Sequence, residues 1–371
     1  MPLAKGAPDL SSLKKNETHK VHTKKETKPV TKKTTKTTSK SSKANDFAIG
    51  GTVNWSLLGV GGAGKKAAIR FSENHNIDIP ITTIDTSGSE AAPKGVNVIR
   101  MENLNGSGKY RKENSKEITN AISKYVGENP FTDVTVIVHS LSGGSGSVIG
   151  PLLVGEILRA NKVVIVIGIV DTDSDIDTVN AFNTLESFKN FAENRKSYLP
   201  IMMFDNDHGR RTVDNGIDRV LSHLVRLLNI PYDGLDMQDR IKFLKPNTFD
   251  GVTGGVKLIN LSQLPDGDWE DIGLITPDSD YSKLDATLII SPIDGDNLKL
   301  KTKCKVTFRG YFEGDNDDDR LIASVGYNIP QSLIDKLNET LHSFRNMDDA
   351  APTKIESEYE IGKTSSNGLV M

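Results

Sequence analysis

Residues 163–170 read VVIVIGIV, eight consecutive positions without a polar side chain. A strand that faces water on one side alternates polar and apolar residues, so a run of this kind must be covered on both faces, as strands are inside a parallel sheet. It is far too short to cross a bilayer as a helix. The segments around it fit the same sheet. WSLLGV (55–60), IPITTID (79–85), VNVIRM (96–101), VTVIVHS (134–140) and YLPIMMFD (198–205) read as strands. Between them, 65–75, 115–126, 148–159 and 178–193 read as helices, an alternation that predicts an α/β fold with helices on both faces of a parallel sheet. Val213, Ile217, Val220, Leu221, Leu224, Val225 and Leu228 then recur at helical spacing. Later strands are expected at 255–261, 285–293, 303–312 and 320–329, with a helix over 331–344, which makes the second half a smaller α+β region.

Composition separates the ends from this body. Residues 1–45 hold twelve lysines against three acids and almost no large apolar side chain. Such a segment buries too little to offset chain entropy and is expected to be a disordered basic tail. It serves solubility or docks electrostatically on nucleic acid, acidic protein or a membrane surface. With no apolar stretch after its charges it does not read as a secretory signal. Cys304 is the only cysteine, which excludes intrachain disulfides and thiolate metal cages and suits a reducing cytoplasm.

Two glycine-rich loops carry the chemistry. GVGGAGKKA (59–67) follows a strand and opens a helix, where bare amides and the helix dipole favour phosphate. Gly59, Gly61 and Gly64 satisfy the dinucleotide pattern, with Asp85 at the end of a strand about twenty residues on. The same loop nearly satisfies the P-loop pattern, but Lys66 stands where a magnesium-binding Ser or Thr is required. Neither pattern accounts for SGGSGS (142–147), which also links a strand to a helix and offers a second row of amides. Small residues there let an anion approach the backbone, or else serve a tight turn with close packing.

This pair of loops resembles the tubulin/FtsZ family. GVGGAGKKA is similar to the first nucleotide loop of FtsZ, and SGGSGS to the family's glycine signature, with Ser142 at its first Gly, Ser145 at its Thr and Val148 at its last Gly. IDTSGSE (84–90) is placed like the second loop, and LNGSGKY (104–110) like the third, which senses the terminal phosphate. DTDSDID (171–177) is placed like the sugar-contacting loop, and FDND (204–207) resembles the turn that reaches the base. YDGLDMQDR (232–240) resembles the acidic loop that completes a neighbour's site, with Gly234 in place of the family's Asn. Three-residue spacing at a helix start sets Asp236 and Asp239 on one face, an arrangement that helix capping alone also favours.

The resemblance implies a Rossmann-like parallel-sheet GTPase domain (46–211) joined by a long central helix (212–229) to a smaller α+β domain (230–346), followed by a flexible acidic and polar tail (347–371). It implies GTP or GDP, with Mg²⁺, held by Gly61, Gly62, Ala63, Gly64, Lys65, Lys66, Asp85, Gly106, Ser107, Gly108, Ser142, Gly143, Gly144, Ser145, Gly146, Ser147, Asp177, Asn206, Asp214 and Asn215. Asp236 and Asp239 would orient water in the next subunit of a head-to-tail homopolymer. Lys66 and Arg211 depart from the family at the base. The divergent loops and charged ends look more like phage or plasmid tubulins, whose filaments move or centre DNA; DNA, a capsid or an adaptor protein on the basic tail is the implied partner, in a host cytoplasm. A dinucleotide-dependent oxidoreductase using Gly59, Gly61, Gly64 and Asp85, or a relative that binds nucleotide without hydrolysing it, are the competing readings.

Overall fold

The computed structural model describes residues 51–87, 93–101, 104, 106, 109–112, 114–262, 273–277, 284–293, 304–314, 320–349, 364–365 and 368–371. The basic segment 1–45, Ser107, Gly108 and all of 350–363 therefore lie outside the described residues. Seven strands run parallel: β1 (Trp55–Val60), β2 (Ile81–Asp85), β3 (Val96–Arg100), β4 (Val134–Ser140), β5 (Val163–Val170), β6 (Tyr198–Asp205) and β7 (Gly255–Ser262). Beyond β7 the sheet continues through β10 (Leu321–Tyr327), antiparallel to both neighbours, then β8 (Leu284–Pro292) and β9 (Cys304–Phe312). One ten-stranded sheet results, ordered β3-β2-β1-β4-β5-β6-β7-β10-β8-β9.

The apolar run behaves as its composition demands. Ile165 and Ile167 of β5 enter one core with Leu57 and Val136, while Val164 and Val166 enter the other with Leu58 and Ile137. Alternate side chains of a strand point to opposite faces, so each face needs its own cover. Helices α1 (Gly61–Asn74), α5 (Arg210–Asn229) and α6 (Met237–Leu244) supply it on one side. On the other lie α2 (Ser115–Glu128), α3 (Gly144–Arg159), α4 (Asp175–Asn194) and α7 (Gln331–Asp349). The lone glycine of the run, Gly168, makes room for a neighbour, because a Cβ there would stand 2.1 Å from Leu141 Cδ1. Among the described residues no helix is long and apolar enough to cross a membrane.

Two boundaries differ instructively from the sequence reading. Both α1 and α3 begin four residues earlier than predicted, so each glycine loop is itself the first turn of a helix. Glycine's poor helix propensity hides a start that tertiary packing enforces. The far end also differs from the expected flexible tail. Helix α7 runs to Asp349, and Leu369 and Val370 are buried beside α4. Val370 donates its N–H to Ser187 Oγ at 2.9 Å, and its carbonyl accepts from Arg111 Nε and Nη2 at 3.1 and 2.6 Å.

Candidate functional site

The chain passes from β1 to β2 and β3 on one side, then returns to lay β4 against β1 on the other. In an open parallel sheet this reversal of strand order leaves a crevice at the carboxyl ends of the two adjacent strands, because the connections diverge from it. Both glycine loops sit there, Gly61 directly after β1 and Ser142 to Ser147 after β4. They meet backbone to backbone: a Cβ on Gly61 would approach the Gly146 nitrogen to 2.8 Å. Gly59 and Gly64 are likewise packing glycines, since a Cβ on Gly64 would lie 1.9 Å from the Val138 carbonyl oxygen. Gly62 meets nothing within 4 Å, and Gly62, Ala63 and Lys66 are exposed. Close packing therefore explains part of the bare backbone, and residues 62 and 63 are left exposed at the same edge.

Neither helix that starts here carries a side-chain cap, in contrast to Ser174 at the start of α4 and Asp236 at the start of α6. The first amides of a helix have no carbonyl within it to bond. Two uncapped starts facing one crevice form a positive, donor-rich cradle suited to a polyphosphate. The remaining loops are stitched around it. Ser142 Oγ donates to the Asp171 carbonyl at 2.7 Å and accepts from its N–H at 2.8 Å. Ser145 Oγ lies 2.5 Å from Thr86 Oγ1 after β2. Asp85 accepts from Thr86 N and Ser87 Oγ, both at 2.7 Å, so its two oxygens are engaged within its own turn rather than offered to a dinucleotide ribose. Ser147 is fully buried and turned inward, its hydroxyl donating to the Gly144 carbonyl.

Beyond β3, Gly106 takes a positive φ of 85° and Lys109 one of 71°. Lys109 Nζ donates to Asp177 Oδ2 at 2.7 Å, a bond that raises the ammonium pKa. Asp177 is buried and also accepts from Ser174 Oγ. Asn206, after β6, donates to Asp171 Oδ2 at 3.1 Å; burial of Asp171 raises its pKa. Lys336 of α7 bonds Asp205 and Asp207 on either side of Asn206 at 2.6 and 2.7 Å. Burial acts to lower the Lys336 pKa, but its two carboxylate partners outweigh this and raise it. Asp214 faces Arg70, whose Nη1 lies 3.0 Å from Oδ2, while Asn215 and Arg211 are exposed. Of the expected residues after β1 to β6, the described ones thus share one edge of the sheet, and the two at the start of α5 follow the Asn206 turn.

Asp236 and Asp239 stand elsewhere. They follow the far end of α5, a 20-residue helix and hence about 30 Å long. Asp236 Oδ1 caps α6 by accepting from Asp239 N at 2.8 Å; Asp236 is exposed and Asp239 half-buried. Gly234 takes φ +72°, a left-handed conformation that favours glycine. Arg240 fixes the loop from beneath. It is fully buried, donates through Nη1 to the carbonyls of Leu227 and Leu228 at the end of α5 and through Nη2 to that of Leu235, and lies over the Tyr232 ring.

Several organising residues escaped the sequence reading: Arg111, Asn180, Arg240 and Lys336. Asn180 Nδ2 donates to both the Lys109 and the Ser142 carbonyls, at 2.8 and 3.0 Å, joining the third loop to the second glycine loop. Arg111 reaches Ser147 O, Thr184 Oγ1, Ser187 Oγ and Val370 O, and burial pushes its guanidinium down to about 9. A signal was present. Asn180, Asn183, Thr184 and Ser187 form a polar stripe at helical spacing on α4, but such a stripe ordinarily faces water, whereas this one is buried.

The fold is of the tubulin/FtsZ type. A phage tubulin-like protein of Pseudomonas phage phiKZ is 30% identical over 174 residues, covering 46% of this chain and 52% of the relative. The sequence match therefore spans about half the length of that relative. A protofilament structure of TubZ from bacteriophage PhiKZ superposes with a TM-score of 0.69 at 22% identity, covering 86% of this chain and 99% of the other. The phage tubulin PhuZ with GDP gives 0.69 at 17% identity, covering 86% and 100%. No family model matches the sequence. The chain thus shares the fold of the phage tubulins and resembles a phage tubulin-like protein in sequence over about half of that protein's length.

Proposed function

We propose that the chain is a guanine-nucleotide-binding filament subunit that polymerises head to tail and hydrolyses GTP where two subunits meet. The carrying observation is the separation between cradle and acids. The glycine loops and Asn206 lie at one end of α5, and exposed Asp236 and half-buried Asp239 follow the other, about 30 Å away. No side chain spans that distance, so the acids serve a second molecule. Repetition of such a heterologous contact builds a filament. The GDP in PhuZ and the protofilament of TubZ support this reading.

The cradle's parts divide the labour. First-turn amides of α1 and α3 offset phosphate charge, and small residues keep Cβ atoms clear of it. The turn at Asn206, braced by Asp171 and Lys336, holds the base. Mg²⁺ bound with the nucleotide would offset phosphate charge in this cradle. Asp236 and Asp239 from the next subunit orient water in line with the terminal phosphate; ordinary carboxylates are poor bases for water, and positioning is their contribution.

Turnover per subunit across a protein dilution series tests this. It should rise steeply with concentration and collapse in Asp236→Asn, which keeps a capping side chain. A rate independent of concentration, with that variant fully active, refutes the shared site. The basic segment 1–45 is proposed to hold cargo, DNA or an adaptor; its removal should spare nucleotide binding and abolish co-pelleting of cargo.

A further inference from the structure

The loop that carries Asp236 is pinned to two elements. Asp233 and Tyr311 exchange both backbone hydrogen bonds at 2.9 Å, which ties the loop to the end of β9, the edge strand of the sheet. Gly310 lets it seat there, because a Cβ at that position would stand 3.0 Å from Leu235 Cβ and 3.1 Å from Tyr232 Cβ. Arg240 ties the loop to α5. Its fully buried guanidinium bonds three carbonyls, those of Leu227 and Leu228 at 3.1 and 3.2 Å and that of Leu235, next to Asp236, at 3.4 Å. Its Nε has no partner among the described residues. A buried cation bonded to neutral carbonyls is costly, and an apolar side chain of similar volume would serve packing better. Closing the end of α5 accounts for two of the bonds and leaves the third, to Leu235, over. What the planar fork supplies is direction: donors at fixed angles set the distance between the helix end and the loop.

We propose that Arg240 is a positioning residue for the acids that one subunit lends to the next. It does not meet the nucleotide; it acts on hydrolysis by holding the Leu235 carbonyl, and with it Asp236 and the start of α6, at a set distance from α5. The proposal rests on the shared-site reading above and names what fixes the geometry of that site. Asp236 follows Leu235 directly, and Asp239 precedes Arg240 by one residue, so both acids lie beside its anchor points. The Asp236 side chain accepts from Asp239 N within its own turn, so the placement of that turn comes from the backbone Arg240 holds. A displacement of about 1 Å in a catalytic group lowers a rate by roughly 100-fold.

Arg240→Met and Arg240→Lys test this in the full chain. Fluorescent GDP titrated below the assembly concentration reads the cradle, pelleting with a non-hydrolysable GTP analogue reads assembly, and phosphate release from GTP per pelleted subunit reads the shared site. GDP affinity should stay within about twofold, while turnover per pelleted subunit should fall about 10- to 100-fold in Arg240→Met and less in Arg240→Lys, which keeps the charge but not the fork. Arg240→Met combined with Asp236→Asn should be no slower than Asp236→Asn alone, since groups that act as one unit do not add. Unchanged turnover overturns the proposal. So does a fall that tracks lost GDP affinity or lost pelleting, or one that multiplies with that of Asp236→Asn, because each marks a merely structural role. If circular dichroism shows Arg240→Met unfolded, Arg240→Lys is judged by the same criteria. Wild-type turnover independent of concentration, or a fully active Asp236→Asn, refutes the shared site itself; a wild-type rate that rises with concentration beside unaffected Arg240 variants removes the Arg240 assignment alone.

Discussion

Deleting residues 369–371 removes three residues from the end of a 371-residue chain, yet the structure gives this end a measurable share of stability. Leu369 and Val370 are 1% and 4% exposed. Burying side chains of that size contributes roughly 1.5–3 kcal/mol each, less a fraction for compactness of the unfolded chain. The Val370 carbonyl accepts from two nitrogens of Arg111, a guanidinium that makes its other bonds to Ser147, Thr184 and Ser187. Each of these two hydrogen bonds from a charged group contributes about 1.5–3 kcal/mol, and water entering the vacated groove recovers part of that. Freeing three residues returns roughly 1–2 kcal/mol of backbone entropy each. The net expected loss is about 2–4 kcal/mol. Urea unfolding of the unassembled protein by circular dichroism should show a midpoint lower by about 1 M or more at constant slope. Arg111→Met, which removes the charge and leaves the apolar dock, should cost less in the truncated background than in the full chain, because the two groups share partners. A midpoint shift of less than about 0.2 M on truncation would refute the claim that this segment is held in place.

Three further outcomes are expected. Asp236→Asn and Asp236→Ala should both lose assembly-dependent turnover, but only the alanine variant should lose stability, by about 1 kcal/mol for the missing cap, as thermal unfolding will show; equal melting temperatures would contradict the capping contact. Gly62→Ala should leave stability within about 0.5 kcal/mol, whereas Gly64→Ala, whose Cβ would sit 1.9 Å from a backbone oxygen, should unfold or aggregate; similar solubility of the two would contradict the packing described. Burial holds His139 and His223 neutral, with pKa values pushed down to about 4. The unfolded chain, with ordinary values near 6.5, binds more protons in between, so stability should fall as pH drops from about 6.5 to 4, by up to roughly 3 kcal/mol per imidazole. Replacing His139 with Gln should flatten the pH profile of the urea midpoint, and an unchanged profile would show that this ring does not titrate on unfolding.

Local regularities made most of the framework readable. Hydrophobic runs of the right length located every strand described, within about two residues, because a strand's neighbours on both faces impose their apolar demand on each successive position. The loops at 59–67 and 142–147 stood out for the same kind of reason: small residues between a strand and a helix leave few structural alternatives. What composition could not reveal was how those glycines divide. Gly61, Gly64 and Gly146 are small because another backbone lies against them, and Gly62 is small beside open space; only coordinates distinguish the two. The early helix starts at Gly61 and Gly144 were hidden for a related reason, since glycine's own preference runs against the helix that packing imposes.

The sequence by itself determined that the chain forms a parallel α/β sheet with two glycine turns and a distant pair of acids, because period, run length and turn chemistry are written in neighbouring residues. Tertiary structure alone decided which polar groups hold these parts together. Arg111 meets the carbonyl of Val370 across 259 positions, Lys336 reaches Asp205 across 131, and Asn180 joins two loops from a helix whose polar stripe faces inward. A side chain's pattern in sequence states how it tolerates water, and burial with partners so distant along the chain reverses that expectation without leaving a local trace.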